Sequence, residues 1–185
     1  MVRLQLNNET CLIFPHISKE NKLVDTRENS RIRHVEIYTD GSYKDGIGGA
    51  ASIIKTRKHI KQYSWHINKA TSSEQSEITA ILLAMRMITN AKQKTILYTD
   101  FNMVVDGFEN ERFVYKWREN DWYNNGKIIP YAGIWSEILC IYEKCNISFV
   151  WVKGHSKCKE NKMCDRLAKT AAKITPTKEN DFFIL

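Results

Sequence analysis

The sequence lacks any hydrophobic run that approaches the length of a membrane span. Its first apolar run, CLIF at residues 11–14, is too short for the core of a secretory signal. The five cysteines form no C-x-x-C pair, which argues against a zinc site, and their odd number argues against a disulfide framework. These absences exclude a membrane protein and favour a globular protein of a reducing, intracellular compartment.

The composition is that of a basic globular domain. With 185 residues, of which 43% are hydrophobic, the chain is long enough to bury one full core. The formal net charge of +7 predicts a polyanionic partner, nucleic acid before membrane, although such a charge also aids solubility. We expect a monomer that does not bind membranes.

The hydrophobic pattern divides the chain into an irregular N-terminal extension at residues 1–34, a folded domain at residues 35–174 and a C-terminal tail at residues 175–185. In the domain, strand and helix patterns follow one another in the order β-β-β-α-β-α-β-α. Helical crossovers make strands 1, 4 and 5 parallel, while strands 1 to 3 form an antiparallel meander. The predicted fold class is therefore α/β, a five-stranded mixed sheet with helices on both faces.

Two of the predicted strands end in the same three residues, Tyr-Thr-Asp. The first ends at Asp40 and the second at Asp100. An aspartate after a strand is usually a turn residue, and that alternative applies to each site taken alone. If the strands are parallel neighbours, both carboxylates emerge side by side at the carboxyl edge of the sheet. Two anions there repel each other unless a cation lies between them.

Two predicted helices carry an acid on the side that faces the sheet. Glu77 lies three residues before Ala80 and continues its apolar stripe. Asp165 shares its side of the last helix with Ala168 and Ala172, whose small side chains would let the helix approach closely. The alternatives are that Glu77 extends to solvent at the boundary of the core and that Asp165 forms a surface salt bridge.

Four acids from two strands and two helices would form a site of hard oxygen ligands. Such a site suits Mg²⁺, which keeps several waters and accepts a few carboxylates together with phosphate oxygens. Two such ions could bind the attacking and leaving oxygens of a phosphodiester. His155, in the loop before the last helix, is most simply a solvated surface residue. Beside four carboxylates it becomes a candidate proton carrier for the leaving 3′ oxygen.

These residues, in this order, resemble the type 1 branch of the ribonuclease H family. The similarity spans about residues 35 to 173 and rests on the motifs YTDGS, SSEQSEITAILLA, LYTDFN and WVKGHSKCKENKMCDRLAKTAA. The resemblance implies a ribonuclease H-like fold, with a mobile catalytic histidine at His155. It places the family's four metal-binding carboxylates on Asp40, Glu77, Asp100 and Asp165. Asn161 matches an asparagine of the same family segment, and the resemblance implies that it contacts the substrate.

A substrate-binding handle like that of cellular and bacterial members is predicted in the segment RFVYKWRENDWYNNGKIIPYAGIWSEI. Trp117, Trp122 and Trp135 fall where such handles place tryptophans. An aromatic core cluster is the alternative, and we favour it for Trp135. Lys116 and Arg118 are expected to follow the phosphate backbone of a DNA strand beside exposed rings.

The resemblance implies an endonuclease that hydrolyses the RNA strand of RNA/DNA hybrids without sequence specificity and leaves 5′-phosphate and 3′-hydroxyl ends. Two Mg²⁺ ions would be its cofactors, and Mn²⁺ could replace them. Selectivity for RNA must come from contacts to 2′-hydroxyl groups across the minor groove. The candidates for these contacts are Gly41, Ser42, Ser73 and Asn102. Ser72 is expected to contact the DNA strand.

The chain departs from the family at two places that contact substrate. Family members often have Asn or Gln shortly before the helix glutamate, where this chain has Ser73, Glu74 and Gln75. Tyr131 occupies the position of an asparagine that helps to hold a DNA phosphate in several cellular members. The affinity for the hybrid is therefore less firmly predicted than the chemistry of cleavage.

Three alternatives stay open. Another nuclease of the same superfold, such as a DNA-strand transferase or a Holliday-junction resolvase, is not excluded by fold alone, but the Gly-His loop and the handle argue against it. A catalytically silent nucleic-acid-binding domain is expected to have lost metal ligands, and all four are present here. The domain could also be the nuclease portion of a reverse transcriptase. The initiating Met1 and the short lead-in favour a free-standing protein.

Overall fold

The computed structural model describes residues 34–154 and 158–174 and, for two N-terminal strands, the course of the backbone. His155 and the predicted tail at residues 175–185 lie outside the described residues. In the part that is described, no helix is long and apolar enough to cross a membrane.

The described residues form nine strands, five α-helices and one π-helical turn. The strands are β1 (Val2–Leu6), β2 (Glu9–Lys22), β3 (Val35–Lys44), β4 (Ile47–Lys55), β5 (His59–Ile67), β6 (Thr95–Thr99), β7 (Tyr123–Asn124), β8 (Lys127–Ile128) and β9 (Ile147–Trp151). The helices are α1 (Ser73–Arg86), α2 (Asn102–Val105), α3 (Phe113–Glu119), α4 (Ala132–Lys144) and α5 (Lys159–Lys173), and the π-helical turn is Asp106–Asn110.

The strands build one sheet of seven in the order β1-β2-β5-β4-β3-β6-β9, and β7 and β8 form a separate hairpin. Strands β3, β4 and β5 are antiparallel, whereas β3, β6 and β9 are parallel. The five predicted strands are present with their predicted directions, so the α/β fold class is confirmed. Helical segments join the parallel strands, as a connection between strands of one direction requires.

The two Tyr-Thr-Asp triplets lie side by side, at the point where β3 and β6 cease to pair. Strands β3 and β6 pair in a register that places Tyr38 opposite Tyr98. The two rings stack with their centroids 4.8 Å apart. Because side chains alternate along a strand, Asp40 and Asp100 follow two residues later on the same side. The repeated triplet thus brings two aspartates to one edge of the sheet.

Helices cover both faces of the sheet, as predicted. On one face, α1 and α4 pack over the larger core, which includes Ile37, Leu97 and Phe149. On the other face, α5 covers a smaller cluster with Tyr38 and Ile53. Neighbouring residues of a strand point to opposite faces, so β3 contributes to both clusters. Helices α1 and α5 therefore flank β3 from opposite sides.

Two glycines let these helices approach the sheet closely. A Cβ atom at Gly41 of β3 would lie 2.4 Å from the backbone nitrogen of Glu77 in α1. A Cβ atom at Gly49 of β4 would lie 2.0 Å from the carbonyl oxygen of Ala168 in α5. Neither distance leaves room for a side chain. The glycines therefore fix how near the two acid-bearing helices lie, and the predicted close approach of the last helix is confirmed.

The prediction of an irregular extension at residues 1–34 is wrong where β1 and β2 lie. These strands pair with each other, and β2 pairs along β5 from Ile13 opposite Ile67 to Lys22 opposite His59. Without β2, strand β5 would leave a row of backbone amide and carbonyl groups unpaired at the edge of the sheet. Backbone atoms make these hydrogen bonds, so the polar composition of the segment did not reveal them. The boundaries of the folded domain remain a prediction.

The predicted handle consists of α3 and the β7–β8 hairpin. Asn125 and Gly126 form the hairpin turn with φ angles of +50° and +75°. Asn-Gly is the sequence that this left-handed turn favours. Tyr123 and Ile128 pair across the hairpin, and both side chains are exposed. The handle therefore ends in a small ordered hairpin that the strand prediction did not include.

Candidate active site

The two strand aspartates differ in their surroundings. Asp40 lies within β3, just beyond the last residue that pairs with β6, and is buried, with 5% of its surface exposed. Asp100 follows β6 and is half-buried. The indole Nε1–H of Trp151 donates a hydrogen bond to the backbone carbonyl of Asp100 at 3.3 Å. This bond connects the end of β9 to the backbone of the second aspartate. Asp100 follows the end of its strand as the sequence predicts, whereas β3 does not end at Asp40 but continues to Lys44.

Glu77 is half-buried and turned toward Gly41 of β3. The backbone N–H of Gly41 donates a hydrogen bond to its Oε2 at 2.8 Å. Helix α1 begins at Ser73, and the hydroxyl of Ser72 caps it by accepting a bond from the N–H of Gln75. The capped helix and the contact with Gly41 thus place the third acid beside Asp40.

The fourth acid is paired with a lysine on its own helix. Lys169 Nζ lies 2.7 Å from Oδ1 and 2.9 Å from Oδ2 of Asp165, one turn along α5. The pair has the i,i+4 spacing at which oppositely charged residues meet on a helix. The salt bridge considered as an alternative for Asp165 therefore exists. Lys169 is a residue of the site that was not predicted from the sequence, although its i,i+4 spacing from Asp165 is a signal that could have identified it.

Two of the four acids, Asp40 and Glu77, have a raised pKa. Burial raises the pKa of Asp40 to about 8, with further increases from the negative charges of Asp100 and Asp165, and Lys169 opposes the shift. Burial also raises the pKa of Glu77 well above its usual range, helped by Asp40, Asp100 and Asp165, while the Gly41 N–H lowers it. The four carboxyl groups therefore form one electrostatically coupled cluster.

The donor set of this cluster fits a divalent cation such as Mg²⁺. All four groups offer carboxylate oxygens, the ligands that hard cations prefer. A cation would stabilise the charged form of Asp40, whose pKa is raised by burial and by the charges of Asp100 and Asp165. Within the described residues, no three acidic, histidine or cysteine side chains converge closely enough to enclose an ion by themselves. Mg²⁺ typically keeps several waters and takes phosphate oxygens from its substrate, so it does not require a cage made of protein ligands alone.

The loop after β9 touches the cluster at Gly154. A Cβ atom there would lie 2.7 Å from Oδ2 of Asp100. A side chain at this position would therefore have to displace the carboxylate of Asp100. The next residue, His155, belongs to the part of the chain that is not described, so its catalytic role stays a prediction.

The predicted contacts to the RNA strand surround the carboxylates. Ser42 follows Gly41 in β3 and is half-buried, whereas Ser73 at the start of α1 is exposed. Asn102 is also exposed, and its amide donates to the carboxylate of Asp106 within the same helical segment. The two exposed side chains are accessible to a nucleic acid, and their contacts with one remain predictions.

Ser72 belongs to a group of three hydroxyls. The hydroxyl of Tyr131 lies 2.8 Å from that of Ser72 and 2.9 Å from that of Thr71. Tyr131 immediately precedes α4 and has a left-handed backbone, with φ of 60°. Where the sequence resemblance expected an asparagine, this chain thus places a phenol against the cap of α1. The departure at Tyr131 is visible in the sequence, but its hydrogen bonds to Ser72 and Thr71 are not.

The handle residues divide into exposed and packed groups. Trp117 and Trp122 are half-buried and pack against the larger core, while Trp135 is 2% exposed, which confirms its assignment to that core. Lys116 is exposed. The guanidinium of Arg118 donates to Glu143 of α4 at 2.6 Å. Lys116 is therefore accessible to a phosphate, whereas Arg118 has an internal partner.

Asn161 is placed away from solvent. It lies in the first turn of α5 and is 2% exposed. Its Oδ1 is buried and has no hydrogen-bond partner among the described residues. This burial argues against the direct substrate contact that the resemblance suggested.

Comparisons with known proteins agree with this geometry. The RNase H family model matches residues 32–173. A ribonuclease H of Desulforamulus reducens is 33% identical over 155 residues, which cover 81% of this chain and 94% of that protein. A ribonuclease H of Haemophilus influenzae is 30% identical over 155 residues, covering 82% of this chain and 97% of the other.

Solved structures show the same fold at lower identity. LC9-RNase H1, a type 1 RNase H with the type 2 active-site motif, superposes with a TM-score of 0.64 and 24% identity over 75% of this chain and 71% of that one. The foamy viral protease-reverse transcriptase in complex with RNA/DNA hybrid gives a TM-score of 0.64 at 21% identity. That match covers 84% of this chain and 21% of the viral one.

Proposed function

This chain belongs to the ribonuclease H family, and from that membership we propose that it is an endonuclease for the RNA strand of RNA/DNA hybrids. Cleavage would be independent of sequence and would leave 5′-phosphate and 3′-hydroxyl ends. The observation that carries the proposal is the coupled cluster of four carboxyl groups at one edge of the sheet. Its members are Asp40, Glu77, Asp100 and Asp165.

The four carboxylates would hold two Mg²⁺ ions, or Mn²⁺ in their place. When bound, the ions would supply Lewis acidity to the phosphodiester and to the attacking water. The chain itself orients the ligands. The Gly41 N–H holds Glu77, and Lys169 fixes the carboxylate of Asp165 until a cation competes for it. His155 would carry the proton to the leaving 3′ oxygen.

Recognition of the hybrid would use groups on both sides of the carboxylates. Gly41, Ser42, Ser73 and Asn102 would contact 2′-hydroxyl groups of the RNA strand, which a DNA strand lacks. On the other strand, the hydroxyls of Ser72 and Tyr131 would donate to a DNA phosphate. A protein of the same fold, the foamy viral protease-reverse transcriptase, has been solved with an RNA/DNA hybrid.

The handle would extend the contact along the DNA strand. Lys116 supplies an exposed positive charge, and Trp117 and Trp122 present partly exposed rings next to it. Arg118 would contribute only by leaving Glu143, its partner at 2.6 Å. We therefore place more of the DNA contact on Lys116 than on Arg118, and none on the buried Asn161.

The complete carboxylate set argues against a silent binding domain. A binding domain without catalysis gains nothing from four clustered acids beside a polyanion, two of which, Asp40 and Glu77, have a raised pKa. Whether the protein acts alone or as the nuclease portion of a reverse transcriptase does not change the chemistry of this site. The monomeric state and the intracellular location remain predictions from the sequence.

The test is a substrate panel with analysis of the product ends. Labelled RNA/DNA hybrid, duplex RNA and duplex DNA of one sequence are incubated with the protein, first in EDTA and then with Mg²⁺ or Mn²⁺. We expect cleavage of the hybrid only, in its RNA strand and only with metal, and products that a ligase can rejoin because they carry 5′-phosphate and 3′-hydroxyl ends. Equal cleavage of duplex RNA, or 2′,3′-cyclic ends, would contradict the proposal.

A further inference from the structure

An open groove runs from the carboxylate cluster along the face of the sheet that α5 covers. Its volume is about 610 Å³. It lies between the β3–β4 turn and the C-terminal half of α5. The lining residues are Ser42, Tyr43, Lys44, Asp45, Ile47, Lys169, Ala172 and Lys173. We call this surface the lysine groove.

One end of the lysine groove lies at the active site. Ser42 follows Gly41, whose N–H binds Glu77, and Lys169 is bonded to Asp165. The handle is elsewhere, because Trp117 and Trp122 pack against the core on the α1 face of the sheet. The handle and the lysine groove therefore flank the carboxylates on opposite faces.

The lining of the groove is positively charged and partly apolar. It holds three lysines and one acid, Asp45. Among the described residues, neither Lys44 nor Lys173 takes part in an ion pair. Tyr43 and Ile47 each leave 39% of their surface exposed beside them. Free ammonium groups next to an exposed aromatic ring are typical of surfaces that bind a nucleic-acid backbone.

The turn at the rim of the groove has a defined shape. Asp45 and Gly46 adopt left-handed conformations, with φ of +51° and +82°. Lys44 and Ile47 pair directly across this turn. A two-residue turn of this type twists with its strands and holds them in register. Lys44 is therefore presented from a fixed position.

We propose that the lysine groove binds the RNA strand of the hybrid where that strand continues beyond the cleaved bond. Lys44 and Lys173 bind successive phosphates, and Tyr43 packs against the sugar-phosphate backbone. The inference rests on the proposed function, because the cleaved strand must pass the carboxylates that lie at the end of the groove. It adds a second anchoring surface opposite the handle.

Lys173 also has a structural explanation, since a lysine in the last turn of a helix stabilises the helix dipole. That role predicts a lower melting temperature after neutralisation but no change in affinity. The groove predicts the reverse, a normal melting temperature with weaker binding. The two explanations are therefore separable by measuring both quantities on one variant.

The test compares two double variants of the full chain. In Lys44→Gln/Lys173→Gln the groove loses two positive charges. In the control, Lys58→Gln/Lys92→Gln, the same charge is lost from exposed lysines at the opposite end of the sheet, in the loops before β5 and β6. Binding of a fluorescent hybrid is measured by anisotropy in EDTA across a range of salt concentrations. Initial rates of hybrid cleavage are measured in Mg²⁺.

The groove variant should bind the hybrid about tenfold more weakly at moderate salt, and its slope of log affinity against log salt should fall by about 1 for each lysine. It should show a higher KM with an unchanged kcat. The control should match the wild type in affinity, salt slope, KM and kcat. A groove variant with the affinity and salt slope of the control would overturn the inference. Failure of the wild type to cleave would instead overturn the proposed function, because affinity in EDTA does not depend on cleavage.

Discussion

Replacing Asp100 by Asn should lower the rate of hybrid cleavage more than about 100-fold, because even residues that only support metal ligands typically contribute 10- to 100-fold. Asn keeps the shape of the side chain but removes one charge from the coupled cluster. The metal-free variant should fold, since the negative charge of Asp100 raises the pKa of both Asp40 and Glu77 and is therefore unfavourable there. Cleavage under single-turnover conditions, beside circular dichroism melting, measures both effects.

The matched control for this substitution is Asp121→Asn. Asp121 is exposed in the handle and has φ of +51°, a conformation that Asn adopts readily. The control removes the same charge far from the cluster, so its cleavage rate should stay within about twofold of the wild type, as for most surface substitutions. An Asp100→Asn protein that cleaves as fast as the Asp121→Asn control would show that Asp100 is a turn residue and nothing more.

Replacing Gly49 by Ala should displace α5 and with it Asp165. The added Cβ would meet the carbonyl oxygen of Ala168 at 2.0 Å and the backbone nitrogen of Ala172 at 2.8 Å. Both are backbone atoms, so the helix itself must move. Overpacking of this kind typically costs about 1–3 kcal/mol of stability. We expect a cleavage rate at least about tenfold lower, because small misplacements of catalytic groups are costly.

The signature of a displaced helix is a changed metal requirement. Gly49→Ala should need more Mg²⁺ for half-maximal cleavage at a temperature where circular dichroism shows it folded. Gly133→Ala is the control, since Gly133 is exposed in α4 and alanine is the better helix former there. A folded Gly49→Ala protein with the Mg²⁺ requirement of the wild type would show that the approach of α5 does not position Asp165.

Local sequence patterns were sufficient to predict which carboxylates of the site lie close together. The period of two in the strands and the repeated Tyr-Thr-Asp placed Asp40 beside Asp100, which the pairing of Tyr38 with Tyr98 bears out. The apolar stripe of the predicted helix placed Glu77 on the side that faces the sheet. These predictions succeeded because each depends on the geometry of one element and on the crossover rule that makes the strands parallel.

What the sequence did not reveal depends on partners that are distant along the chain. Arg118 is paired with Glu143, and Tyr131 is paired with Ser72. These partners are too far apart along the chain for a spacing pattern to predict the contacts. Strand β2 joins the sheet through backbone hydrogen bonds to β5, and such bonds cannot be predicted from the amino-acid composition of the segment. Asn161 is a polar residue in the first turn of a helix, but only 2% of its surface is exposed. Each of these outcomes is set by tertiary packing.

The central claim, that four acids from four elements form one cation site, is tested by calorimetric titration with Mn²⁺ at pH 7 in two buffers of different ionisation enthalpy. Asp40, with its pKa raised to about 8, holds a proton at pH 7. A cation binds only the deprotonated carboxylate of Asp40, so binding at pH 7 must release protons. Fewer protons should be released above pH 8, where this carboxyl group is already mostly deprotonated. We predict this release in the wild type and an affinity at least about tenfold weaker in Asp100→Asn. Binding without proton release, and with equal affinity in the two proteins, would contradict the claim.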